Sequence, residues 1–117
     1  MAVYTWGEET PSGQLCWSGV TSRSSTCVVQ SFPSGTFGLF DMGGNVYEWT
    51  ADWFGRYASA AAVDPAGPVT GAERVYRGGG AFDTGAIAQR AAFRSFHGAV
   101  NFRAANLGFR CAHVSQR

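Results

Sequence analysis

A chain of 117 residues is long enough for one domain with one modest core. Its 45% hydrophobic and 15% charged content excludes a disordered chain; with nine arginines, no lysine, no basic run and a net charge of +1, it gives nucleic-acid binding no electrostatic footing. No apolar run approaches the length of a membrane span, and residues 1–7 lack the charged and apolar regions of a signal peptide.

In chain order, residues 1–37 read as loop, punctuated by Gly13, Gly19, Pro33 and Gly35, with the rings of Tyr4 and Trp6 available to pack on the body. Val28-Val29 suggests a short strand. Cys16 and Cys27 flank a polar loop and are spaced to close a disulfide across it, worth about 2–3 kcal/mol in an oxidising compartment; two free thiols are the alternative. Residues 38–54 mix glycine with Leu39, Met42, Val46, Trp49, Trp53 and Phe54, which predicts a buried, irregular segment with a turn at Gly43-Gly44 and a strand over 46–52. Residues 59–72 read as a surface loop and Glu73–Arg77 as a strand by its Val-Tyr content. Gly78-Gly79-Gly80 must bend the chain. Residues 85–94 are undecided between a turn and a short strand. Residues 106–114 predict a final strand with Leu107, Phe109, Cys111 and Val114 inward. No long amphipathic helix is visible.

Three strings carry a resemblance: Gly38-Leu-Phe-Asp-Met-Gly-Gly-Asn-Val-Tyr-Glu-Trp49, Arg77-Gly-Gly-Gly80 and Leu107-Gly-Phe-Arg-Cys-Ala112. In this order they resemble the C-terminal half of the formylglycine-generating-enzyme (sulfatase-modifying factor) family. The resemblance implies an α+β fold with much irregular structure, of the C-type-lectin type, in a single domain over 1–117 that lacks the family's N-terminal elements. A body so shortened would leave strand edges open to self-association.

Enzymes of that family use two cysteines shortly after the Arg-Gly-Gly string, whose thiolates bind copper and activate oxygen; soft sulfur ligands suit Cu(I). Here the stretch reads Gly80-Ala-Phe-Asp-Thr-Gly-Ala-Ile-Ala-Gln-Arg90, with Asp83 and Ala88 about where the pair would lie. Neither replaces a thiolate. His97 and His113 are too few for an iron cluster, there is no Cys-x-x-Cys for zinc, and Ser95 near His97 makes no triad without an orienting acid and an oxyanion hole. The expectation is no catalysis and no required cofactor. The family also carries structural calcium near the matching string, which implies Asn45 and Glu48 as oxygen donors. The competing reading has Asn45 capping a turn and Glu48 pairing with Arg77 or Arg110, arginines whose ordinary role here is to fix carbonyls or a carboxylate.

Between the second and third strings no period organises Phe82, Phe93, Phe96 and Phe102, which alternate with small polar residues. Rings mixed with polar groups off any period have the composition of a binding surface. The stretch 81–106 resembles the variable region of diversity-generating-retroelement proteins, where fixed Arg-Ala residues such as Arg90-Ala91-Ala92, Arg94 and Arg103 punctuate randomised positions. On that resemblance the ligand-contacting residues are Phe82, Asp83, Thr84, Ile87, Phe93, Ser95, Phe96, His97, Val100 and Phe102 and the partner is a protein or other surface ligand; the sequence leaves the cellular address open, with a virion or cell surface implied by the resemblance and the inside of the cell as the alternative. A divergent oxidase, or a fragment of one, and a structural or assembly module are the alternatives.

Overall fold

The computed structural model describes residues 2–63, 65–94 and 97–113. Four strands form one sheet: β1 Tyr47–Trp53, β2 Glu73–Arg77, β3 His97–Ala99 and β4 Leu107–Gly108, in the order β3-β2-β1-β4. β1 pairs antiparallel with β2 and parallel with β4, and β2 pairs antiparallel with β3. Among the described residues no α-helix exists, and the only helical piece is a single 3-10 turn at Ala86–Gln89. This corrects the expected α+β class: the regular structure is β. The residues themselves give the reason, since glycine-rich, aperiodic sequence offers no apolar helical face to bury.

β1 and β2 form where they do because each alternates large or β-branched residues along a half-buried surface. Glu48 lies opposite Arg77 and Trp49 opposite Tyr76, yet Trp53 lies opposite Arg74. Four residue steps along β1 therefore match two along β2. Thr50 holds this bulge, its one hydroxyl proton shared between Asp52 Oδ1 at 2.5 Å and the Val75 carbonyl at 3.0 Å. A bulge re-aims the chain beyond it, and here it turns Trp53 and Phe54 out of the regular register. Trp53 lies under the Arg74 guanidinium, 3.6 Å from the ring centroid.

Two faces result. On one, Tyr76 meets Tyr47 and Trp49 edge-on and stacks with Phe102. On the other, His97 Nδ1 lies 2.7 Å from Glu73 Oε2, and Arg77 donates to the carbonyls of Phe93 and Ala91, just beyond the 3-10 turn. The core lies where the sheet meets residues 15–17 and 81–89: Leu15, Cys16, Trp17, Tyr47, Val75, Ala81 and Ala88 are buried.

Several other expectations change. Val28 and Val29 form no strand and are exposed. The last strand ends at Gly108; Phe109 is 75% exposed and Cys111 is an exposed free thiol, while Val114 lies outside the described residues. Leu39, Phe40 and Phe54 are exposed, so 38–54 is irregular as read up to β1 but not buried throughout; Trp49 and Trp53 are only half-buried.

Candidate functional site

The turn after β2 is built by glycines for a steric reason. Gly79 has φ +73° and stands so close to the buried Gln89 side chain that a Cβ would meet its Oε1 at 2.2 Å. The chain then folds back on itself at Asp83. The Asp83 Oδ2 accepts from the Tyr47 hydroxyl at 2.6 Å, from the Gly80 backbone N–H at 2.7 Å and, more weakly, from Gln89 Nε2 at 3.5 Å. Its own carbonyl accepts from the Ser18 N–H at 3.0 Å, and the Ser18 hydroxyl donates to the Ala81 carbonyl at 2.8 Å. Asp83, read as a contact residue, is thus a fastener between the sheet, the N-terminal segment and the turn. Burial first, and then the bond to Asp83, hold the Tyr47 phenol well above its ordinary range.

Asn45 and Glu48 are likewise engaged by the protein. Asn45 is buried in the left-handed region, φ +62°, a conformation asparagine tolerates better than most residues. Its N–H donates to the Cys16 carbonyl, its Oδ1 accepts from the Cys27 N–H at 2.9 Å, and its Nδ2 donates to the Cys27 carbonyl. Cys16 and Cys27 are bonded to each other, so Asn45 clamps both ends of that link. Both Glu48 oxygens take Arg110 N–H donors, at 2.7 and 2.6 Å, while the same guanidinium donates to the carbonyls of Phe40 and Asp41. That bond to Glu48 raises the Arg110 pKa against the opposing effect of burial. The oxygen donors that would hold a calcium ion here are already committed to an organic cation and to backbone N–H groups. As arranged they do not fit that ion. Among the described residues no group of three or more His, Cys, Asp and Glu side chains could hold a metal.

The remaining candidates divide. Ile87 and Phe93 meet on a cleft of about 730 Å³ between residues 54–57 and 87–94. His97 stacks on Phe54 at 3.6 Å, beside that cleft. Phe82, Thr84, Val100 and Phe102 are exposed elsewhere, Phe102 against Tyr76 and Gly98. Ser95 and Phe96 lie outside the described residues. Phe54, Tyr57 and Arg94 also line the cleft, although the sequence marks none of them as a contact and places Phe54 in a buried segment. The available signal was Trp53-Phe-Gly-Arg-Tyr57, a strand ending in rings and a cation around a glycine. Arg94 fixes the cleft's two sides together, donating to the Gly55 carbonyl at 2.9 Å with its guanidinium 4.2 Å from the Tyr57 ring centroid.

The profile of the "Sulfatase-modifying factor enzyme 1-like domain" matches residues 1–114. The chain belongs to this family. The formylglycine-generating enzyme of Streptomyces coelicolor is 40% identical over 126 residues, a match covering 94% of this chain and 40% of that protein. The serine/threonine-protein kinase pkn1 of Chlamydia caviae is 39% identical over 116 residues, covering 93% of this chain and 17% of that protein. The chain therefore spans less than half the length of either relative. Among solved structures, "Treponema denticola variable protein 1" superposes with a TM-score of 0.77 at 26% identity, over 91% of this chain and 39% of that one. Within this family the chain lacks the paired catalytic cysteines: between Cys27 and Cys111 it contains no cysteine. No helix of the described residues is long and apolar enough to cross a membrane.

Proposed function

We propose that this chain is a non-catalytic ligand-binding domain of the sulfatase-modifying factor family, whose segment 81–106 displays a diversified surface. One contrast carries the reading. Where the family's thiolates would lie, Asp83 is committed to Tyr47 and Gly80, and Ala88 is buried. In the same segment Phe82, Ile87, Val100 and Phe102 expose apolar surface that a packed core would have covered. A carboxylate and a methyl group cannot bind Cu(I) as a thiolate pair does. Exposed rings on loops held by a rigid scaffold can bind a partner. The likeness to a variable protein supports a diversified surface, and such a surface belongs on the outside of a cell or virion.

Copper titration with oxygen-uptake measurement tests the non-catalytic part. The purified protein is expected to bind no stoichiometric Cu(I) and to consume oxygen no faster than buffer. One tightly bound copper per chain, coupled to oxygen uptake, would overturn the proposal.

A further inference from the structure

We infer that the cleft between residues 54–57 and 87–94 takes an acidic protein segment bearing an apolar side chain; this rests on the proposed reading of the domain as a binding module. The apolar part is plain. Phe54, Tyr57, Ile87 and Phe93 line the cleft, with Tyr57 75% and Ile87 60% exposed. The charge is of one sign. Arg56, Arg90 and Arg94 line it, and no described carboxylate does. Glu73, whose carbonyl accepts from the Phe54 N–H, directs its carboxylate to His97 instead.

The three arginines are not equivalent. Arg94 is held by the Gly55 carbonyl and by the Tyr57 and Phe54 rings, so it builds the wall. Arg56 and Arg90 make no side-chain hydrogen bond or ion pair with another described residue. Two unpaired guanidiniums beside exposed rings favour a ligand that supplies carboxylates and an apolar anchor together. A guanidinium binds a carboxylate through two parallel hydrogen bonds, and displacing water from the neighbouring rings strengthens that bond. A nucleic acid fits less well: three cations in one cleft on a chain of net charge +1 do not track a phosphate backbone.

The probe is a fluorescent heptapeptide, Glu-Glu-Phe-Glu-Leu-Glu-Glu, with twins carrying Gln or Lys at every Glu, and a short single-stranded oligonucleotide. Anisotropy gives affinity, and backbone amide shifts locate the contact. The acidic peptide is expected to shift amides of residues 54–57 and 87–94. Raising salt from about 50 to about 500 mM should weaken it severalfold. The Arg56→Glu/Arg90→Glu variant should lose at least about tenfold in affinity with an unchanged far-ultraviolet spectrum. Equal binding of the Gln or Lys twin at these residues, or tighter binding of the oligonucleotide, overturns the acidic-ligand inference and leaves the binding-module reading standing. If none of the probes shifts these amides, the cleft itself is not a binding face and the inference fails with it.

Discussion

Asp83→Ala should destabilise the domain more than any surface change of its size. The carboxylate serves a phenol that is 5% exposed and a backbone N–H at the tightest point of the turn, at 2.6 and 2.7 Å. Removing it takes the acceptor from the Tyr47 hydroxyl and from the Gly80 N–H, a loss of about 1–3 kcal/mol for each donor when buried. Asp83 is only half-buried, so water relieves part of this, and we expect a loss of about 3 kcal/mol. Tyr47→Phe removes one donor from a carboxylate that keeps its Gly80 bond, for about 1–2 kcal/mol. The double variant should be less destabilised than the sum, with a coupling of about 1–2 kcal/mol, because each partner matters chiefly through the other. Urea unfolding followed by circular dichroism measures all four corners of the cycle. An Asp83→Ala loss below about 0.5 kcal/mol, or strict additivity, would refute the fastener role. The same reasoning predicts that placing cysteines at 83 and 88 to restore the family's pair yields a less stable protein.

The Tyr47 phenol, raised by burial and by Asp83, gives an alkaline signature. The folded state holds that proton more tightly than the unfolded chain, so the contribution is fully present below about pH 10 and is lost as pH rises beyond it. The Tyr47 contribution to unfolding free energy should be constant up to that pH and fall above it, so the alkaline fall is shallower in Tyr47→Phe; Tyr76, raised by burial and by Glu73, accounts for part of the residual slope. Replacing Cys16 and Cys27 with serine should cost about 3 kcal/mol, from the loop entropy of a sequence separation of 11, measured as the shift in urea midpoint. Gly44→Ala should cost at least about 2 kcal/mol, because φ is +77° and a Cβ would meet the Cys16 carbonyl oxygen at 2.5 Å; Gly13→Ala, in open space, is the control and should be near neutral.

Local pattern made part of this fold legible. Glu73–Arg77 and most of β1 follow from alternation and β-branched or aromatic content, and the bend after Arg77 follows from three glycines. The Glu48–Arg110 pair is legible as one of two readings, whereas the bonds from Asn45 to Cys16 and Cys27 are not. The helical part of the expected class came from the resemblance alone; the residues gave no helical period to support it. The C-terminal strand was overextended because Phe109 and Cys111 look like core residues, and nothing local says that only Leu107 and Gly108 pair with Tyr47 and Glu48, some sixty positions upstream. The structural bond of Asp83 is hidden for the same reason: its polar side chain looks like a surface group until Tyr47, 36 positions away, is brought to it. The cleft joins Phe54 and Tyr57 to Ile87 and Phe93 across a surface loop and β2, so no sequence window contains it.

In the proposed function a fixed framework carries a diversified surface. Sequencing the codons for residues 81–106 in many individuals of the source population tests it directly. Substitutions should concentrate at exposed positions such as Phe82, Thr84, Ile87, Val100 and Phe102, with Asp83, Ala88, Gln89 and Gly98 constant because their side chains or backbones hold the fold. A segment identical in every individual, or one in which Asp83 changes as often as Phe82, would contradict it.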